Sequence, residues 1–353
     1  MISEILVAPQ PVAWLPWAVQ YFFYIGSAYG AALLLWLALR RRDSYSVTFI
    51  RAMALVLLIS CVVGPLALTA DLHQPGRAWH FFAYLTPGSW MSRGALLLPL
   101  FSLLGVVTGW LCLRPALQEA ARTRWSPLLI LLAAGRWSAA PALVRLCALL
   151  TVLSGASIAL YTGSEVGIVA ARPLWHQWVL PWLWLWLCSA PLASVGLWAL
   201  VRGLLDQPVT ATDRRLLRAV ICSAALASLL LLACWLFWPT GRVGAEGLSF
   251  MRAQAWPAAL LLLLTLAASR WLAQRRWPVA LLAIGAAASL RWLTLIDVQR
   301  VPRYDAGIYP YTLAIGSEGW LGILAMAGLW VCLAAILTEL IEARADAVEQ
   351  QNG

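Results

Sequence analysis

The chain has 353 residues, of which 62% are hydrophobic and 11% are charged, and its mean hydropathy is +0.80. Soluble domains carry about 25% charged residues, so this composition excludes an ordinary soluble protein. It predicts an all-α, polytopic integral membrane protein. The formal net charge of +10 comes from arginines scattered at the ends of apolar runs, and such scattering does not indicate a nucleic-acid-binding surface.

Nine apolar runs divide the chain, and each is close to the roughly 20 residues that cross about 30 Å of hydrocarbon. We predict them at residues 14–39, 48–69, 95–113, 143–161, 178–201, 217–238, 254–272, 279–296 and 320–340. Backbone groups inside a bilayer must be hydrogen-bonded within their own segment, which predicts a helix for each run. We therefore expect a single membrane domain over residues 1–353.

The arginines are distributed unevenly between the two sets of loops. Loops after odd-numbered helices hold most of them, for example Arg40–Arg42, Arg124 and Arg214, whereas loops after even-numbered helices hold few. Positively charged loops remain on the cytoplasmic side of a membrane. We therefore expect a multi-pass protein of the bacterial inner membrane, with its N-terminus in the periplasm and its C-terminus in the cytoplasm.

The loop between the second and third helices is the most polar connection on the predicted outer side. It holds Asp71, His73, Gln74, Arg77 and His80 together with five aromatic side chains. One interpretation is an interfacial turn with an aromatic belt. Ionisable groups gathered at a membrane edge more often belong to a functional site, and we expect one here.

Other polar residues are predicted near the same side of the membrane: Gln20, Tyr21, Tyr24, Tyr161, Glu165, Arg291 and Asp297. Glu165 follows Tyr161 by four residues, so the two side chains share a face if the fourth helix continues that far. The alternative is that Glu165 forms a salt bridge with Arg77 or Arg172. The residues alone leave both interpretations open.

The histidines and cysteines do not form cofactor-binding patterns. His73, His80 and His176 all fall in predicted outer loops, where they cannot supply the paired axial ligands of a transmembrane haem. The seven cysteines are single residues without a CxxC spacing, which argues against an iron–sulfur cluster. We expect no haem, no iron–sulfur cluster and no metal in this chain.

Three segments carry a resemblance to a known family: residues 14–34 (WLPWAVQYFFYIGSAYGAALL), 70–101 (ADLHQPGRAWHFFAYLTPGSWMSRGALLLPLF) and 161–175 (YTGSEVGIVAARPLW). Their motifs, above all Asp71-Leu72 followed by Pro75, Arg77 and Trp79, resemble the NrfD/PsrC family of membrane subunits. Many members have Gly-Arg where this chain has His73-Gln74. This difference, together with the YTGxE and ARPxW motifs, makes the sequence resemble the tetrathionate reductase branch of the family.

The resemblance implies two four-helix bundles, helices 1–4 and 5–8, with helix 9 appended. It implies a subunit that oxidises menaquinol or ubiquinol near the outer surface, in an electron-transport complex of anaerobic respiration. The implied partners are a periplasmic four-cluster iron–sulfur subunit and a molybdopterin catalytic subunit that reduces a sulfur oxyanion. The expected oxyanion is tetrathionate. The positions that match the family's quinone site are Gln20, Tyr24, Asp71, His73, Tyr161 and Glu165, with Arg77 in the same motif.

The chemistry of quinol oxidation fits these residue types. Quinol loses two electrons and two protons, and neutral His73 and a carboxylate, Asp71 or Glu165, are suitable proton acceptors. Tyr161 and Gln20 can hydrogen-bond a ring oxygen. A secondary transporter is one alternative, and it predicts polar residues near the membrane midplane repeated in two halves. A passive anchor is the other, and it would leave these polar residues dispensable.

Overall fold

The structure is a computed structural model that describes residues 12–72, 74–124, 126–176, 181–205, 209–239, 243–272, 276–302 and 307–342. Within these ranges lie nine helices that are long and apolar enough to cross a membrane, and no strand. The prediction of an all-α, polytopic membrane protein is confirmed.

We number the nine membrane-spanning helices α1 to α9 in chain order. Their bounds are α1 Pro16–Arg40, α2 Val47–Asp71, α3 Trp90–Thr123, α4 Pro141–Gly167, α5 Pro181–Leu205, α6 Ala211–Phe237, α7 Ala245–Ala268, α8 Arg276–Trp292 and α9 Trp320–Ile341. Helix α8 continues through a π-helical turn, Leu293–Asp297, and a last helical turn, Val298–Arg300. Short helices also occur in two loops, at His80–Ala83 and Pro127–Ala133.

Helix α3 departs furthest from its predicted bounds of 95–113. It spans 34 residues, which is about 51 Å at 1.5 Å per residue. Its additional turns carry polar residues such as Arg114 and Glu119, so they do not belong to the apolar run. The Arg114 side chain is buried and donates hydrogen bonds to the carbonyls of Ala133 and Gly135, at 2.9 and 3.2 Å. Contacts with the following loop therefore stabilise the extension.

Side-chain caps begin two helices at the end of the array where α2 and α6 start. Ser46 is the N-cap of α2, and its hydroxyl accepts a hydrogen bond from the Phe49 N–H at 2.9 Å. Thr210 and Asp213 form a capping box at the start of α6. The fully buried Asp213 carboxylate also accepts a hydrogen bond from the Ser46 N–H at 3.2 Å. One carboxylate therefore links the two helix starts.

Helix α1 packs against helices from both halves of the chain. It contacts α2 and α4 of the first half and α5 and α8 of the second half. Gly30 makes the approach of α5 possible, because a Cβ at this position would overlap the Ser194 side chain and lie 2.9 Å from the Ala190 backbone. Because α1 contacts helices of both predicted bundles, these contacts do not separate the two bundles from each other. The division into two four-helix bundles and one added helix stays a prediction.

One end of the array carries the starts of α1, α3 and α9 and the ends of α2, α4 and α8. Trp17 near the start of α1 lies against Gly322 near the start of α9, and the end of α8 contacts the segment just before α1. We call this end the site face. It includes residues 12–15 and the loops 72–89 and 168–176, apart from His73, which lies outside the described residues.

Candidate functional site

A cavity of about 590 Å³ lies at the site face, between the first turns of α1 and α3 and the last turns of α2 and α4. Its volume falls within the roughly 300–1,000 Å³ of small-molecule sites. The walls are mostly apolar, and Phe81 and Phe82 of the loop between α2 and α3 form part of them. The polar side chains of the lining are Tyr21, Thr69, Asp71, Ser102, Tyr161 and Glu165.

Tyr161 and Glu165 form the α4 side of the cavity. Helix α4 continues to Gly167, so the four-residue spacing places both side chains on one helix face. Their side chains lie close enough to interact electrostatically. Tyr161 is buried among its neighbours, with 7% of its surface exposed. The cavity therefore presents a phenol and a carboxylate side by side.

Helix α3 leaves space for the Tyr161 ring. A Cβ built on Gly94 would overlap the phenol of Tyr161. Trp90, one turn earlier, lies beside the same ring with 6.5 Å between ring centroids, and the Arg93 guanidinium covers the Trp90 ring at 4.4 Å. The position of the phenol is thus set by the shape of α3.

The alternative role of Glu165, a salt bridge, has no support in the part of the chain that the structure describes. Arg77 is exposed to solvent. Arg172 instead donates a hydrogen bond to the Val301 carbonyl at 3.2 Å and lies 5.9 Å from the centroid of the Tyr309 ring. Burial lowers the pKa of the Arg172 guanidinium, and Tyr309 opposes that shift. Among the described residues, neither arginine forms an ion pair with Glu165.

Helix α1 lines the cavity with Tyr21, whereas the sequence predicts Gln20 and Tyr24 as site residues. Tyr21 lies close enough to Glu165 to interact with it electrostatically. Gln20 and Tyr24 are buried, but neither belongs to the described lining. The Gln20 amide instead donates to the Pro16 carbonyl at 3.4 Å. The roles of Gln20 and Tyr24 in quinone binding stay predictions.

The end of α2 contributes Asp71, its last residue, to the cavity. Arg77 does not belong to the described lining. His73 lies outside the described residues, and its role as a proton acceptor stays a prediction. The cavity also contains Ser102, which no sequence pattern distinguishes from other serines in apolar helices. Its hydroxyl is buried and has no hydrogen-bond partner among the described residues.

The chemistry of the lining favours an uncharged hydrophobic ligand. Its described part combines two carboxylates and two phenols and contains no arginine or lysine. Two carboxylates repel an anion such as a sulfur oxyanion, whereas the apolar walls favour binding of a hydrophobic ring. Carboxylates can also accept protons from a bound molecule, and phenols can hydrogen-bond its oxygens.

The described residues contain no group of three or more His, Cys, Asp or Glu side chains that could hold a metal ion. The seven cysteines are free thiols. The expectation that the chain holds no haem, iron–sulfur cluster or metal stays a prediction.

Comparison with known proteins places the chain in a family. The sequence profile of the family described as polysulphide reductase, NrfD, matches residues 6–303. The chain is 35% identical to a tetrathionate reductase subunit of Salmonella typhimurium, over 97% of this chain and 96% of that protein. Both matches include the four helices that form the cavity, and they confirm the resemblance found in the sequence. The chain therefore belongs to the polysulphide reductase NrfD family.

Proposed function

We propose that this chain is the membrane-anchoring, quinol-oxidising subunit of a periplasmic molybdopterin reductase complex. Its substrate is menaquinol or ubiquinol, bound in the cavity at the site face. Electrons pass to a four-cluster iron–sulfur subunit and then to a molybdopterin subunit that reduces a sulfur oxyanion. The proposed oxyanion is tetrathionate. The similarity to a tetrathionate reductase subunit supports the complex and its acceptor.

The observation that carries the proposal is the convergence of Asp71, Tyr161 and Glu165 on one apolar cavity at the ends of α2 and α4. A quinol has a hydrophobic ring and two hydroxyl groups, and its oxidation releases two protons. A passive anchor needs no such cavity. A transporter would need comparable polar groups near the midplane, whereas these groups lie at one end of the helix array.

The residues of the cavity divide the chemistry between them. As quinol becomes quinone, one hydroxyl proton passes to Glu165 and the other to Asp71, with His73 a further acceptor beside Asp71 in the sequence. The two electrons leave to the iron–sulfur subunit. Tyr161 and Tyr21 hydrogen-bond ring oxygens and fix the ring between the apolar walls.

We also propose that the site face lies on the periplasmic side of the bacterial inner membrane. The arginine-rich loops after the odd-numbered helices lie at the opposite end, as the positive-inside rule requires of cytoplasmic loops. The nine spans found among the described residues then put the N-terminus in the periplasm and the C-terminus in the cytoplasm. The protons of the quinol are released on the side where the partner subunits bind.

Purification of the tagged chain from native membranes tests the proposal. We expect an iron–sulfur subunit and a molybdopterin subunit to copurify with it, and organic extraction of the complex to yield menaquinone or ubiquinone. An absorbance spectrum of the isolated chain should show no haem band. Isolation of the intact chain with neither partner and without quinone would contradict the proposed function.

A further inference from the structure

One wall of the cavity is held in place by a helix from the other half of the chain. Ala13 and Trp14, just before α1, line the cavity. Oε1 of Gln299, in the last turn of α8, accepts hydrogen bonds from the backbone N–H groups of both residues, at 2.9 and 3.0 Å. Its Nε2 donates to the carbonyls of Trp14 and Leu295, at 3.1 and 3.0 Å. The amide therefore uses both of its donor hydrogens and both acceptor positions.

Helix α8 also holds the Trp14 ring, because it binds Trp175, whose ring packs against that of Trp14. The centroid of the Trp14 ring lies 5.9 Å from that of Phe22 and 5.5 Å from that of Trp175. Trp175 is buried, and its indole N–H donates to the Thr294 carbonyl at 2.6 Å. Helix α8 thus holds both the backbone and the side chain of Trp14.

The π-helical turn Leu293–Asp297 explains how α8 contacts both Trp14 and Trp175. Thr294 lies within the turn, and Gln299 is the second residue after it. An extra residue in one turn rotates the residues that follow by about 100° relative to an unbroken α-helix. The turn therefore sets the direction in which Gln299 faces. Such turns are frequent at functional sites.

We propose that Gln299 is a positioning residue for substrate binding: it holds Ala13 and Trp14 as the wall against which the quinol ring packs. Gln299 is not part of the described lining, so it acts through these two residues. The inference rests on the proposed function. Loss of the amide should weaken quinol binding and leave the proton acceptors Asp71 and Glu165 in place.

Two substitutions in the intact complex test this role. Gln299→Met keeps the length of the side chain and removes its four hydrogen bonds. Trp175→Phe keeps an aromatic ring and removes the bond to Thr294. In both variants we expect the KM for quinol to rise by about tenfold while kcat stays within about twofold, the pattern of lost uniform binding. Activity driven by an artificial dye that bypasses the membrane subunit should not change.

Trp330→Phe is the matched control. It also removes a buried indole N–H bond, to the Ser60 hydroxyl at 3.1 Å, but Trp330 lies outside the cavity lining. Its KM should remain that of the wild type. An equal rise of KM in Trp330→Phe would show a general loss of packing and would overturn the role of Gln299.

Hydrogen–deuterium exchange supplies a readout that does not depend on turnover. The amides of Ala13 and Trp14 should exchange slowly in the wild-type complex and faster in Gln299→Met, because their acceptor is lost. Unchanged exchange in Gln299→Met would refute the hydrogen bonds from the Ala13 and Trp14 amides to Gln299. Faster exchange with an unchanged KM overturns only the positioning role. Absence of quinol-driven turnover in the wild-type complex overturns the proposed function, and this role with it.

Discussion

Glu165→Gln should lower quinol-driven turnover of the complex on the order of 10²–10⁴-fold, the range for loss of a general base. The substitution keeps the shape of the side chain and removes one of the two carboxylate proton acceptors of the cavity. The described lining contains no Arg, Lys or His that could replace it. The phenol of Tyr161 remains beside the new amide. Electron delivery from an artificial dye should continue at the wild-type rate, because the dye bypasses this chain.

A carboxylate near the end of α8 but outside the cavity gives the control for this prediction, because Gly247 in the first turn of α7 lies against Val301. Glu246 is exposed in the first turn of α7, and Glu246→Gln should leave quinol-driven turnover within about twofold of the wild type. If Glu165 only stabilises the fold, quinol-driven and dye-driven rates should fall together with the amount of assembled complex. That pattern, or wild-type quinol turnover in Glu165→Gln, would exclude Glu165 as a proton acceptor.

Gly94→Ala should lower quinol-driven turnover by about 10- to 100-fold. The added Cβ would overlap the phenol of Tyr161, which must then move away from its position beside Glu165. Displacement of a substrate-positioning group by about 1 Å can cost about 10²-fold in rate. Steady-state turnover with quinol as donor measures the loss, and dye-driven turnover shows whether the complex is assembled.

Gly88→Ala separates this effect from a general cost of replacing glycine. Gly88 lies in the loop before α3, and a Cβ built there has no heavy atom within 4 Å. We expect this variant to oxidise quinol at the wild-type rate. Equal losses in Gly88→Ala and Gly94→Ala, or no loss in either, would contradict the requirement for space beside Tyr161.

The sequence anticipates parts of the site where local spacing determines the geometry. Tyr161 and Glu165 share a helix face whatever surrounds them, because four residues make about one turn. Helix α1 is different, since it is apolar around its whole circumference. Its pattern does not distinguish Tyr21, which lines the cavity, from Gln20 and Tyr24, which do not belong to the described lining.

Other parts depend on contacts that no local pattern records. The hydrogen bonds between Trp14 and Gln299 join residues 285 positions apart. The π-helical turn in α8 changes the direction of Gln299 without changing the apolar character that predicts the span. Likewise, hydropathy locates α3 but not its polar extension, which Arg114 stabilises through contacts with the next loop.

The most direct test of the central claim is to map where quinone binds in the intact complex. A photoreactive quinone, irradiated in membranes that contain the complex, should label peptides within residues 13–22, 65–72 and 91–102, which supply most of the cavity lining. An excess of unlabelled quinol should suppress the label, because both compete for one site. Label confined to α6 and α7, with none in these three segments, would contradict the assignment of the cavity as the quinol site.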